Sequence, residues 1–183
     1  MPRRFHDADE LLPPASFLKR SLAIVYDGLI SIAVLLVTTG IYTMITGWAN
    51  GWVASWDAPA QKAATDQISA DPGLTFVLFL VMYLFFAYFW TRIGQTLGMQ
   101  VWRIRIENLD GSSVSWSQAL RRYLTAAAVF FLALLAGYYL GSATLFLTVP
   151  AMIALFFPVN GISVTDRLSE SIVVSLPSKP KVS

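Results

Sequence analysis

Three charged residues stand beside or inside apolar sequence: Arg20, Asp27 and Asp166. Asp27 interrupts the run FLKRSLAIVYDGLISIAVLL, seven residues after Arg20. Seven residues are close to two helical turns, so the two side chains share one helix face about 10 Å apart. An aspartate at the centre of a membrane helix costs about 2.5–3.5 kcal/mol on insertion scales. Such a residue normally faces a bundle interior or a wet cavity and has a partner. Helical side chains lean toward the N-terminus, which aims Asp27 at the end where Arg20, Arg92, Arg121, Arg122 and Arg167 are expected. Burial favours the neutral acid and a guanidinium favours the carboxylate. A group between those pulls has two uses. It loads and releases a proton or a small cation, or it forms an internal salt bridge that fixes helix packing. Asp166, paired with Arg20, would close the bundle at that end. Rescue of the single changes by a charge swap is the expected sign of such a pair.

The composition narrows the rest. The 183 residues are 56% hydrophobic and 13% charged, with a mean hydropathy of +0.59. Soluble domains carry about 25% charged residues, so a polytopic membrane protein is expected. The net charge of +2 and the scattered basic residues do not suit nucleic acid. The chain has no cysteine, and its one histidine, His6, lies in a polar tail. That argues against disulfides, most zinc sites and every His-based triad. No enzyme activity, cofactor or metal is expected. The first apolar run exceeds the ~7–15 residues of a signal h-region, so no cleaved signal is expected.

Of four apolar runs, at about 21–45, 74–91, 123–140 and 142–159, the first three suit the ~20 residues of a transmembrane helix, and the fourth is marginal, with Pro150 in the middle and Pro158 at the end. The expected fold is an all-α membrane protein: a four-helix transmembrane bundle with a small cytoplasmic β-hairpin or sheet. Residues 1–20 read as a cytoplasmic tail, 21–175 as the membrane domain with a loop at 92–122, and 176–183 as a second tail. Arg3, Arg4, Lys19 and Arg20 precede the first run; Arg92, Arg103, Arg105, Arg121 and Arg122 follow the second; Arg167, Lys179 and Lys181 follow the fourth. The loop between the first two runs has Lys62 against Asp57, Asp66 and Asp71. The positive-inside rule therefore puts both termini in the cytoplasm, and an even number of spans agrees. Trp48, Trp52 and Trp56 are spaced for one helical face in the outer interface.

The 92–122 loop has structure of its own. From Val101 to Glu107 the residue types alternate, with Trp102, Ile104 and Ile106 on one face and Arg103, Arg105 and Glu107 on the other. Asp110-Gly111 signals a turn, and Ser115 to Gln118 a capping box that opens the next helix. The β-rich Ser171–Ser175 stretch is expected to pair with the loop strand, because a lone hairpin is marginal in water. Gly94-Gln95-Thr96-Leu97-Gly98 offers backbone amides to an anion but lacks the lysine of a phosphate loop, so a helix-ending turn is the stronger reading.

Arg20 at the start of the first span, Asp27 within it and Asp166 near the end resemble the signature of the RDD family. Gly94 to Met99, the Arg103–Ile106 strand, Asp110-Gly111, Gln118 to Arg122, and Asp166-Arg167-Leu168-Ser169 before Ile172-Val173-Val174 are also similar to it. The chain departs where members often have a basic residue (Gln100), a His or Trp before the last aspartate (Val164-Thr165), and Gly-Thr after it (Glu170-Ser171). The resemblance implies a bacterial inner-membrane protein, and some members have been described as cation/proton antiporters. Two functions are carried forward: an accessory or scaffold subunit of a membrane complex, or a small antiporter using Asp27. Expected partners are the lipid bilayer and further subunits, as a homo-oligomer or a larger complex.

Overall fold

The computed structural model describes residues 3–6, 12–49, 71–141, 158 and 161–177. In chain order its elements are α1 (Phe17–Ala49), α2 (Pro72–Arg92), α3 (Leu97–Val101), β1 (Ile104–Glu107), α4 (Trp116–Leu140), α5 (Val164–Leu168) and β2 (Ile172–Ser175). They fall into two compact units, Gly28–Phe85 and the combination of Met1–Asp27 with Phe86–Ser183.

Among the described residues, α1 and α2 are long and apolar enough to cross a membrane. With 33 residues, α1 is about 50 Å long. It starts before the expected Ser21 and runs past Ile45. Leu29, Ile32, Leu36, Ile41 and Met44 along it are all more than half exposed. An apolar surface that size is foreign to water and calls for lipid or a partner. The run expected at 123–140 lies inside α4. The run at 142–159, together with Trp52 and Trp56, lies outside the described residues, apart from Pro158.

In the Gly28–Phe85 unit, the end of α1 is fastened to the start of α2. Asp71 accepts from the Gly73 amide at 2.7 Å and from the Tyr42 hydroxyl at 2.6 Å. A carboxylate before Pro72 suits this end, because proline at the first helical position has no N–H to satisfy.

The other unit holds the sheet. β1 and β2 are antiparallel, with Ile104 opposite Ser175 and Glu107 opposite Ile172. They are far apart in sequence, so this is a long-range sheet and not a hairpin. β1 starts at Ile104, three residues later than the alternation suggests. Val101 ends α3, and Arg103 turns the chain with a left-handed φ of 50°. Two paired strands alone are marginal, and both outer edges are covered. On β1, the Ile106 amide donates to the Gly94 carbonyl at 2.7 Å, and the Gln95 side chain donates to the Ile104 carbonyl at 2.8 Å. On β2, Ala15 N donates to Val173 O and Ser175 N to Pro13 O, both at 2.8 Å. Residues 13–15 thus serve as a third edge where sequence suggested a tail.

The arm continues over the polar face of β1. The Arg105 guanidinium lies 4.4 Å from the Phe5 ring centre. Glu107, buried, meets His6 Nε2 at 2.9 Å and Arg105 Nη2 at 2.7 Å. Beneath the opposite face, Ala15, Ala23, Ile104, Ile106, Val114 and Val173 form the core, with Trp90, Met99 and Trp102 packed against it. Ser115 caps α4 in the expected capping box with Gln118.

Candidate functional site

Arg20 is buried one turn into α1, and its planar guanidinium has five N–H donors. All five have acceptors. Nε donates to the Ala15 carbonyl at 3.2 Å. Nη1 donates to Asp166 Oδ2 at 2.5 Å and reaches Ser163 Oγ at 3.5 Å. Nη2 donates to the carbonyls of Gly161 and Val173 at 3.1 and 3.2 Å. One side chain thereby ties α1 to the arm, to the turn before α5, to α5 and to β2.

Asp166 is 1% exposed. It is the third residue of α5 and takes part in a capping box, its Oδ2 accepting from the Ser163 amide at 3.0 Å while Ser163 Oγ accepts from its own amide at 3.2 Å. Its Oδ1 accepts from Arg122 Nη2 at 2.7 Å. Arg122, on α4, also donates to Ser169 and Ser171 at 3.3 and 3.0 Å, and its guanidinium lies 6.0 Å from the Trp90 ring centre. One carboxylate therefore faces two guanidiniums. The remaining positive charge is met by hydroxyl and carbonyl dipoles, which low surrounding dielectric strengthens.

Burial works against the Asp166 carboxylate, but Arg122, Arg20 and the Ser163 amide outweigh it and hold its pKa below the usual 3.8. A depressed folded-state pKa contributes stability that is fully present above the unfolded value and lost as pH falls through the folded one. Thermal unfolding scanned from pH 6 to pH 2 should show the wild-type midpoint dropping once pH passes below about 4, and a flatter profile for Asp166→Asn.

Asp27 does not join this cluster. The spacing correctly places it above Arg20 on α1, but the two residues serve separate contacts. The Thr96 hydroxyl donates to Asp27 Oδ2, and the Gly98 amide donates to Oδ1 at 2.8 Å. Thr96 is also the cap of α3, accepting from the Met99 amide at 3.3 Å. The expected guanidinium partner for Asp27 is replaced by a hydroxyl and an amide. Both readings of the Gly94-to-Gly98 stretch meet here. Gly94, at φ 75°, ends α2 with its amide on the Phe89 carbonyl at 2.9 Å, and the residues that follow hold an acidic side chain of the same molecule.

The remaining arginines divide. Arg122 belongs to the Asp166 cluster, and Arg121 pairs with Glu170 at 3.1 Å on the surface. Arg92 and Arg167 are exposed, with no ion pair among the described residues. The sequence reading missed Ser163, Ser169 and Ser171 as ligands of the arginines. Ser163 had a signal, since Ser-x-x-Asp is a capping-box pattern; a serine that accepts from a distant arginine has none.

No group of His, Cys, Asp or Glu that could hold a metal is found among the described residues. No curated protein and no solved structure matches the chain. The RDD family model matches residues 14–169, a stretch that contains Arg20, Asp27 and Asp166 and ends inside the turn after α5, so the chain belongs to the RDD family.

Proposed function

We propose that this protein resides in the bacterial inner membrane as an accessory or scaffold subunit of a larger membrane assembly, formed with copies of itself or with other proteins. The observation that carries this reading is that the signature charges are engaged internally: the five donors of Arg20, both oxygens of Asp166 and both oxygens of Asp27 all have partners within the chain. Such a network holds a small sheet and two short helices rigidly against the start of α1. It leaves the apolar surface of α1 available to lipid or a neighbouring helix. The arginine-rich segments put both termini and the sheet on the cytoplasmic side. This reading takes the apolar runs at about 123–140 and 142–159 as two further spans of a four-helix membrane domain. Neither catalysis nor nucleic-acid binding belongs to this reading.

A second reading is cation/proton antiport. It is favoured by one observation: Asp27 is a buried acid inside a long apolar helix, in contact with an exchangeable hydroxyl on Thr96. Proton flux driven by sodium, lithium or potassium in proteoliposomes separates the two. The scaffold reading expects correctly inserted wild type and Asp27→Asn to be equally silent. Flux in wild type that is lost in the folded Asp27→Asn variant would replace it with antiport.

A further inference from the structure

The short helix α3 has two faces. Its inner face is in the fold: Gly98 lies against α1 at Ala23 and Asp27, and Met99 packs on the core. Its outer face carries exposed Leu97 and Val101 with the polar Gln100 beside them, and is uncovered among the described residues. Leu97 and Val101, one helical turn apart, are 40% and 57% exposed, and Ile93 just before the turn is 40% exposed. Exposed Arg92 and Arg103 bracket this stretch.

The position of α3 along α1 says what covers that face. α3 touches α1 at Ala23 and Asp27, about 9–15 Å above Phe17 by helical rise. A hydrocarbon core of ~30 Å takes about twenty residues. Counted back from Trp48, at the far end of α1, twenty residues reach Gly28. With Trp48 taken at the far interface, Asp27 and α3 fall at the boundary between headgroups and acyl chains. The surplus length of α1 supplies the turns below. Tyr88 near the end of α2 is exposed as well, so apolar side chains are open to the surroundings on both sides of the Gly94 turn.

We propose that α3 is an interfacial helix that docks on anionic phospholipid of the leaflet in which α1 begins. Leu97 and Val101 enter the acyl chains, and Arg92 and Arg103 meet lipid phosphates. The inference rests on the membrane placement proposed above. Lipid suits this face because apolar side chains at the boundary depth, flanked by arginines, match an acyl chain below a negative headgroup.

The natural absence of cysteine makes the test clean. Single Leu97→Cys, Val101→Cys and Val37→Cys variants are labelled with bimane in mixed vesicles. Quenching is then compared for brominated phosphatidylglycerol, brominated phosphatidylcholine and aqueous iodide. Labels at 97 and 101 should be quenched by brominated lipid and little by iodide, with phosphatidylglycerol preferred over phosphatidylcholine. Arg92→Gln and Arg103→Gln should each lower that preference about fivefold, the equivalent of about 1 kcal/mol per basic residue near the surface. Strong iodide quenching at 97 and 101, or shielding from both lipid and iodide by a protein neighbour, overturns the proposal. Equal quenching by the two lipids overturns the anionic selection. If Val37 is also unquenched by lipid, the membrane placement itself fails; if Val37 is quenched and the α3 labels are not, only this inference does.

Discussion

Asp166→Asn is expected to cost the folded protein about 3–5 kcal/mol, the loss found when one partner of a buried ion pair is removed. The physical reason is what remains. The buried Arg20 and the partly buried Arg122 would keep their positive charges close together with only neutral dipoles to meet them. Arg20→Lys should also destabilise, though the charge is retained. A lysine has three donors and Arg20 uses five. At least two of the five hydrogen bonds would be lost, at about 0.5–1.5 kcal/mol each. The charge swap, Arg20→Asp with Asp166→Arg, should fail to rescue either single change. The carbonyls of Ala15 and Gly161 need a donor at position 20, and Arg122 and the Ser163 amide need an acceptor at position 166. Unfolding midpoints in detergent, for the two single variants, the lysine variant and the swap, check this together. A swap with wild-type stability would mean that only the Arg20–Asp166 attraction matters.

How much of this arrangement was legible depended on the range of each signal. The first two apolar runs, the Ser115 capping box and the strand character of Ile104–Glu107 and Ile172–Ser175 rest on local periodicity or local hydrogen bonds, and these are written in consecutive residues; the pairing of the two strands is long-range and followed only from the need of a lone strand for a partner. The Arg20–Asp166 pair was legible because a buried charge must have an opposite, and few candidates exist in so apolar a chain. The partners of Asp27 were not. A carboxylate is satisfied as well by a hydroxyl and a backbone amide as by a guanidinium, and an amide donor has no residue type to give it away. The alternation from Val101 misled for a related reason: three residues of period two also fit the last turn of α3 and the left-handed Arg103. Residues 13–15 look like tail in sequence because proline breaks strands, yet on an outer edge Pro14 needs no N–H.

Gly98→Ala is the second large effect, and its cause is contact distance. A Cβ at Gly98 would press into the Ala23 carbonyl oxygen of α1 and stand 2.9 Å from Asp27 Oδ1. The carbonyl is helix backbone and cannot swing aside, so α3 must move outward. That movement would also stretch the Gly98 amide bond to Asp27, 2.8 Å in the folded chain. Overpacking of this kind costs about 1–3 kcal/mol, and loosening the hydrogen bond adds about 0.5–1.5 kcal/mol. Gly28 provides the control beside the same aspartate. It lies in α1, and a methyl group there would meet nothing within 4 Å, while alanine favours a helix over glycine by about 1 kcal/mol. Gly28→Ala should therefore be neutral or stabilising, while Gly98→Ala lowers the unfolding midpoint and speeds hydrogen exchange at the amides of α3. If both substitutions had the same small effect, α3 would not be held against α1 at Ala23 and Asp27. The acid in the first span would then need another explanation than the hydroxyl and the amide that now meet it.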